Sequence, residues 1–166
     1  MLVKQSAGSL GLRAIEEFLF YEAKLLDERE FGKWLTLFTK TAWYWVPISR
    51  SQENPRDTVS IIYDDRKLLE TRVRRLQNPN IHAQNPPSRT SRIIGNILME
   101  KSDEKTETYF VSSEFQMVEF RGDDQRLFAG HSSHCLTRKK EKLYIESKRV
   151  DLVNAEGMNE GITIPF

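Results

Sequence analysis

Few side chains in this sequence have the type and spacing that metal or nucleophilic chemistry requires. His131 and His134 are the closest pair of histidines, and Cys135 directly follows His134. In a strand, residues three apart and direct neighbours point to opposite faces, so neither pair converges on one atom. We therefore interpret both histidines as ordinary sheet residues and Cys135 as a small buried hydrophobe. The pattern predicts no metal site and no cysteine nucleophile in this chain.

Acid–base chemistry is the alternative that the residues leave open. It requires a carboxylate or a histidine inside a cavity, opposite a hydrogen-bond donor. Glu22 is the most interesting candidate because it interrupts an otherwise apolar helical stripe, and Tyr63, Asp64 and Asp65 are the others. The structural alternative is that Glu22 pairs with an arginine or lies at the margin of the stripe. His82 is predicted to be a hydrogen-bonding loop residue and not a base.

Helices dominate the first half of the chain and would position these residues. Apolar residues at helical spacing predict a helix over residues 9–28 and a shorter one over residues 30–37. Aromatic and β-branched residues then predict a strand over residues 41–48, which ends at Pro47 or lies at a sheet edge. A third helix is predicted over residues 60–76, with acidic residues near its N-terminus and arginines near its C-terminus.

Strands dominate the second half of the chain. The hydrophobic period changes from helical to alternating after Pro87. Long strands are predicted at residues 91–101, 106–121, 126–138 and 142–155. Helices followed by an antiparallel meander predict an α+β fold, with the helices packed on a curved sheet. The apolar tail at residues 162–166 is a liability unless it docks on something, and residues 1–8 are predicted to be a loose tail.

The segment from Tyr63 to Asn96 is unusually basic, and it contains a Pro-rich joint at residues 85–88. A solvated helix face, a nucleic-acid surface and a protein interface are the possible explanations. Nucleic acid favours interleaved aromatic residues, and His82 is the only aromatic ring within residues 66–92. An obligate protein partner is favoured because arginine is enriched at interfaces and binds carboxylates through two hydrogen bonds. The candidate subunit-interface residues are Arg72, Arg74, Arg75, Arg89 and Arg92.

Length and composition narrow the class of protein further. A chain of 166 residues with 39% hydrophobic and 30% charged residues predicts a single globular domain over residues 1–166. The net charge of +1 argues against general nucleic-acid binding. The single cysteine of the chain, Cys135, excludes an internal disulfide and fits a reducing cytoplasm. No apolar run approaches the ~20 residues that span a bilayer, and no signal peptide is recognisable. A cytoplasmic protein without membrane attachment is expected.

The basic segment also carries a family resemblance. YDDRKLLETRVRRL at residues 63–76 and HAQNPPSRTSR at residues 82–92 resemble the β (small) subunit of Rieske non-haem iron aromatic-ring-hydroxylating dioxygenases. The resemblance extends from about residue 12 to the end of the sequence. Further matches are LLDEREFGKWLTLF at residues 25–38, WYWVP at 43–47, FAG at 128–130 and KRVDLVNA at 148–155.

The resemblance implies a fold, partners and cofactors. The fold would be the cystatin-like cone shared with nuclear transport factor 2. The chain would be a structural, non-catalytic subunit that binds a larger α subunit and other β subunits, commonly as an α3β3 hexamer. The α subunit would carry the Rieske [2Fe–2S] cluster and the mononuclear Fe(II), and this chain would carry no cofactor or metal. Electrons from NAD(P)H would arrive through a reductase, and the complex would add O2 to an aromatic ring in aromatic compound catabolism.

Two alternatives to the structural subunit remain open at this point. The same cone fold hosts stand-alone acid–base enzymes, namely isomerases, dehydratases and hydrolases, and it also hosts small-ligand-binding modules. An apolar, closed cone would favour the scaffold. An open pocket in which a buried carboxylate faces a donor would favour the enzyme.

Overall fold

The computed structural model describes residues 10–80, 84–157 and 161–166. The predicted loose tail at residues 1–8 and the loop residue His82 lie outside the described residues. The elements are, in chain order, α1 (Leu12–Asp27), α2 (Phe31–Leu35), β1 (Phe38–Pro47), β2 (Ser60–Asp65), α3 (Arg66–Gln77), β3 (Arg89–Asp103), β4 (Thr108–Arg121), β5 (Asp124–Lys139), β6 (Lys142–Leu152) and a 3-10 turn (Ala155–Gly157). None of the described helices is long and apolar enough to cross a membrane.

The six strands form one sheet in the order β2-β1-β6-β5-β4-β3. Strands β3 to β6 make the predicted antiparallel meander. Strand β1 extends that meander by pairing parallel to β6, and β2 pairs antiparallel to β1. The predicted α+β fold, with helices packed on a curved sheet, is confirmed. Strand β1 ends at Pro47, as predicted, because proline has no N–H for the ladder.

The predicted helix over residues 60–76 is wrong in its first part. Residues 60–65 form strand β2, and the helix begins only at Arg66. Ile62 and Asp64 are buried while their neighbours are less so, which is the alternation of a strand and not of a helix. Asp65 then starts α3, because its carboxylate accepts a hydrogen bond from the N–H of Leu68 at 2.9 Å.

The core lies between the helices and the concave face of the sheet. Helix α1 packs against β3, and α3 packs against α2, β1 and β2. Trp34 of α2 is fully buried and makes edge-to-face contacts with the rings of Phe38 and Tyr44, at centroid distances of 4.9 and 5.9 Å. Offset and edge-to-face ring pairs add to the free energy gained from burial alone. The helices and the sheet therefore enclose a cone with an aromatic lining.

The tail docks inside this cone. Ile164, Pro165 and Phe166 are buried, and the Phe166 ring packs between Phe128 and Phe115, at centroid distances of 5.3 and 5.9 Å. The apolar tail therefore does dock, and its docking site lies within the protein itself.

Candidate functional site

A cluster of polar side chains lies inside the cone around Glu22. The Glu22 carboxylate is 3% exposed and accepts hydrogen bonds from Lys148 Nζ at 2.7 Å and from Trp34 Nε1 at 3.1 Å. His134 Nε2 lies 3.0 Å from its second oxygen. We call Glu22, Trp34, His134 and Lys148 the Glu22 cluster.

The local sequence explains how the Glu22 cluster assembles. Leu19 and Leu26 lie one helical turn on either side of Glu22, so the apolar stripe of α1 carries the carboxylate into the core. His134 and Lys148 are cross-strand partners in β5 and β6. Both side chains point to the concave face and therefore meet Glu22 together. Glu22 is thus not at the margin of the stripe, and a lysine takes the place of the arginine that the structural interpretation expected.

The sequence pattern predicts neither His134, interpreted as an ordinary sheet residue, nor Lys148 as a partner of Glu22. For Lys148 the sequence does hold a signal. Its side chain shares the inward-facing period of β6 with Val150 and Leu152, both of which are buried. A lysine at an inward position of an apolar strand requires a buried counter-charge, because an unpaired buried charge is very costly. The inward-facing position of Lys148 in the alternation of β6 is therefore the sequence feature that indicates a buried partner.

Burial and the neighbouring charges have opposing effects on the pKa values of Glu22 and His134. Burial alone would raise the pKa of Glu22, but the charge of Lys148 and hydrogen bonds from His134 and Lys148 together hold it far below its usual value. Burial lowers the pKa of His134 despite the neighbouring carboxylate, so the imidazole is neutral at pH 7. A neutral His134 donates its Nε2 proton to Glu22 and keeps Nδ1 as an acceptor.

The tail closes the cluster to solvent. Lys148 Nζ also donates to the main-chain oxygen of Phe166 at 2.8 Å. The remaining space between Phe166 and the cluster is a cavity of about 20 Å³, the size of one water. Glu22 therefore has the donors of an acid–base site but no space for a substrate beside it.

The structure does not bring the other acid–base candidates to Glu22. The Tyr63 ring stacks on Trp43 at a centroid distance of 4.7 Å. Asp64 binds the guanidinium of Arg72 through both oxygens, at 2.6 and 3.2 Å. Asp65 caps α3. These residues have structural roles at β2 and at the start of α3.

Two of the candidate interface arginines are engaged within the chain. Arg72 forms the ion pair with Asp64. Arg92 is almost fully buried, forms an ion pair with Asp27, and donates from Nη2 to the carbonyl oxygen of Pro165 at 2.6 Å. These contacts explain both residues as parts of the fold.

The remaining candidates, Arg74, Arg75 and Arg89, are exposed. The guanidinium of Arg89 lies 5.0 Å from the centroid of the Phe120 ring. Arg75 lines an open groove of about 660 Å³ between α3 and the tail, which Leu68 and Ile162 also line. Arginine is enriched at protein interfaces, so this groove is a candidate contact surface.

The other candidates for metal binding and for a cysteine nucleophile, His131 and Cys135, lie outside the Glu22 cluster. His131 is half-buried with Nδ1 2.8 Å from Glu114 Oε1, and it points to the face opposite His134. Cys135 is partly buried, and burial raises the pKa of its thiol, which makes it less reactive. Across residues 10–80, 84–157 and 161–166, no three His, Cys, Asp or Glu side chains are grouped to hold a metal ion.

Comparisons with known proteins agree with this fold. The family model described as "Ring hydroxylating beta subunit" matches residues 21–156. The benzoate 1,2-dioxygenase β subunit of Acinetobacter baylyi is 31% identical over 151 residues, which are 88% of this chain and 88% of that protein. The crystal structure of the benzoate 1,2-dioxygenase β subunit of Burkholderia mallei matches with a TM-score of 0.76 and 27% identity, over 94% of this chain and 100% of that one.

A more distant structure shares the fold alone. A scytalone dehydratase-like protein from Novosphingobium aromaticivorans matches with a TM-score of 0.64 and 14% identity, over 86% of this chain and 83% of that one. The cone architecture is therefore common to subunits of dioxygenases and to proteins of other kinds.

Proposed function

Since this chain belongs to the family of ring-hydroxylating β subunits, we propose that it is the non-catalytic scaffold of an aromatic-ring-hydroxylating dioxygenase. The family match over residues 21–156 carries this proposal. The partner is a larger α subunit, which holds the Rieske [2Fe–2S] cluster and the mononuclear iron and receives electrons from NAD(P)H through a reductase. Three α and three β subunits form the complex, which works in the cytoplasm in the catabolism of an aromatic compound.

The closed cone supports a scaffold over a stand-alone enzyme. An acid–base enzyme needs room for its substrate within hydrogen-bond distance of the base. Phe166 takes up that room, and the carboxylate of Glu22 is already saturated by Lys148, His134 and Trp34. A scaffold requires only a rigid body, and a buried ion pair with satisfied hydrogen bonds provides one.

The α subunit is proposed to bind the exposed part of the basic segment. Arg74, Arg75 and Arg89 are available to a partner, and the groove beside Arg75 offers an apolar complement. By fixing the relative positions of the α subunits, the β subunits support electron transfer from the cluster of one α subunit to the iron of its neighbour.

Affinity purification of the tagged chain from its native host tests the proposal. We expect a brown complex with iron–sulfur absorbance and a native mass that includes a larger subunit. Reversing the charges of Arg74, Arg75 and Arg89 together (R74E/R75E/R89E) should greatly reduce recovery of that subunit.

The control reverses the same number of exposed charges elsewhere (R13E/R50E/R56E) and should leave recovery unchanged. A colourless protein that purifies alone would contradict the scaffold role. Full recovery of the partner by the R74E/R75E/R89E variant would contradict the arginine interface and leave the scaffold role intact.

A further inference from the structure

A buried polar network lies beneath the Pro-rich joint at residues 85–88. Its centre is Glu119 in β4, which is fully buried and whose two carboxylate oxygens are held from different sides. Ser88 Oγ donates to Oε1 at 2.6 Å. Arg126 donates to Oε2 from Nε at 2.9 Å and from Nη2 at 2.6 Å. The carboxylate of Glu119 therefore joins a charged partner in β5 to the last residue of the joint.

Ser88 is fixed through each polar group that it carries. Its hydroxyl, which donates to Glu119, also accepts a hydrogen bond from Gln84 Nε2 at 3.3 Å. Its main-chain oxygen accepts from Arg29 Nη1 at 3.1 Å, and its N–H donates to Gln84 Oε1 at 3.4 Å. Gln84 is held in turn by Arg29 and by Thr163 of the tail. Contacts from distant segments of the chain thus fix the position of Ser88 relative to the sheet.

Stability alone does not explain a charged network at this position. A buried ion pair is often no more stabilising than apolar residues of similar volume, because both charges lose their hydration. Hydrogen bonds to a carboxylate are directional, however, and they fix the atoms that make them. The network around Glu119 therefore provides a defined geometry at the joint that apolar packing would not provide.

The residue that this geometry presents to solvent is Arg89. It directly follows Ser88, and its cross-strand partner is Phe120, the neighbour of Glu119 in β4. Consecutive strand residues point to opposite faces, so Glu119 holds Ser88 on the concave face while Phe120 supports Arg89 on the convex face. The exposed guanidinium of Arg89 lies 5.0 Å from the centroid of the Phe120 ring. Within residues 10–80, 84–157 and 161–166 no carboxylate pairs with it, so its donors are available to an acidic group of another molecule.

We propose that Ser88 and Glu119 are positioning residues for subunit assembly, and that they hold Arg89 where it binds a carboxylate of the α subunit. This inference rests on the proposed function, and in particular on Arg89 as a contact residue. An arginine binds a carboxylate best when the two planar groups are aligned. Because the network orders the joint before the partner arrives, binding requires less loss of conformational entropy.

Ser88→Ala tests the inference, and Ser112→Ala is its matched control. Ser112 is also buried, and its hydroxyl donates to Glu100 between the same two strands, away from the joint. Each variant is expressed in the native host beside the unsubstituted chain and a tagged α subunit. Mass spectrometry of the purified complex then gives the ratio of the two chains.

We expect about tenfold less incorporation of Ser88→Ala than of the unsubstituted chain. In this variant the joint must be ordered during assembly, at about the cost of the lost hydrogen bond. Ser112→Ala should be incorporated as well as the unsubstituted chain. Equal incorporation of the two variants, both folded, would overturn the inference and leave the scaffold role intact.

Arg89→Ala separates positioning from a general loss of stability. If Ser88 acts through Arg89, Ser88→Ala has no further effect in a chain that already carries Arg89→Ala. A general loss of stability would instead reduce incorporation by the same factor in both backgrounds, and that result would overturn the inference. An unsubstituted chain that recovers no α subunit would contradict the proposed function, and this inference with it.

Amide hydrogen exchange of the separate chain tests the same inference if Ser88→Ala does not fold. The Ser88 N–H is buried and donates to Gln84, so we expect it to exchange at least tenfold more slowly than the exposed loop at residues 53–57 before any partner is present. Exchange as fast as that of the loop would show that only the partner orders the joint, and would overturn the inference.

Discussion

At the scale of single residues, the fold depends on a carboxylate in its core. Glu22 is surrounded by Lys148, His134 and Trp34, and all of these contacts are inside the cone. A buried ion pair contributes little net stability compared with a well-packed apolar pair, but removing one partner leaves the other charge buried and alone. The Glu22 cluster therefore makes the cone sensitive to changes that affect one charge only.

Glu22→Gln tests this sensitivity. The amide keeps the shape of the side chain but leaves Lys148 without a counter-ion, so we expect the free energy of unfolding to fall by about 3–5 kcal/mol. Urea denaturation followed by tryptophan fluorescence measures the change. Adding Lys148→Met should recover part of the loss. Glu17→Gln, which disrupts an exposed ion pair with Arg13, is the control and should cost about 0.5 kcal/mol or less.

The buried imidazole of His134 is expected to make the stability of the protein depend on pH. The imidazole of the unfolded chain takes up a proton below about pH 6.5, whereas burial lowers the pKa of the imidazole in the folded protein. The unfolded state then binds more protons, so stability falls as the pH falls from 7 to 5. The depressed pKa of Glu22 adds a further loss of stability only below about pH 4.3, where the unfolded carboxyl protonates.

Unfolding free energies of His134→Gln between pH 7 and 5 check this prediction. Glutamine keeps a donor for Glu22 but does not titrate, so the variant should show a flatter pH dependence than the unsubstituted protein. The comparison variant is His131→Gln, which removes a half-buried histidine that lies outside the Glu22 cluster. The same slope in all three proteins would show that His134 does not cause the acid sensitivity.

At the scale of elements, the sequence predicts those strands and helices that depend on the hydrophobic pattern of neighbouring residues. The alternation of Tyr109, Val111, Phe115 and Met117 identifies the buried face of β4, and the structure confirms it. The sequence predicts a helix over residues 60–65 because Ile61, Ile62, Leu68 and Leu69 also fit a helical stripe. Residues 60–65 form a strand because they pair with β1, and the hydrophobic pattern of the segment itself does not reveal that pairing.

Contacts between distant segments are the part that the sequence does not reveal. The parallel alignment of β1 with β6 joins residues about a hundred positions apart. The apolar composition of the tail predicts that it docks, but not that its final ring enters the cone beside Lys148. Glu22 was recognisable as unusual, whereas its partners come from β5 and β6 and depend on the three-dimensional fold.

Gly130 shows how closely two of these elements approach. A Cβ added at Gly130 would lie 2.4 Å from the carbonyl oxygen of Asp151 in β6 and 3.0 Å from Cε1 of Phe115. Because a main-chain atom cannot move aside cheaply, Gly130→Ala should lower the free energy of unfolding by about 1–3 kcal/mol in urea denaturation. Gly95→Ala in β3 is the matched control, since an added Cβ meets no atom within 4 Å there. Equal stability of the two variants would contradict the close approach.

At the scale of the whole molecule, the convex face of the sheet carries exposed apolar residues. Val118 and Leu127 are cross-strand partners in β4 and β5. Ile93 in β3 lies diagonally from Val118, since its own partner is Gln116 and the partner of Val118 is Ser91. Ile93 is 71% exposed and Leu127 is 64% exposed. An apolar group of this kind on an ordered sheet is typical of a surface that a partner covers.

Ile93→Asp with Leu127→Asp tests whether this face contributes to assembly. Both side chains already face solvent, but Asp has a low strand propensity, so we expect the free energy of unfolding of the separate chain to fall by no more than about 2 kcal/mol. Charged residues in the centre of an apolar contact would each require desolvation, so recovery of the partner subunit in affinity purification should fall severalfold. The control replaces Val59 and Val153 with aspartate. These valines are about as exposed as Ile93 and Leu127 but lie in connecting segments outside the sheet. Equal recovery by the test and control variants, with both proteins folded, would show that the convex face is not part of the subunit interface.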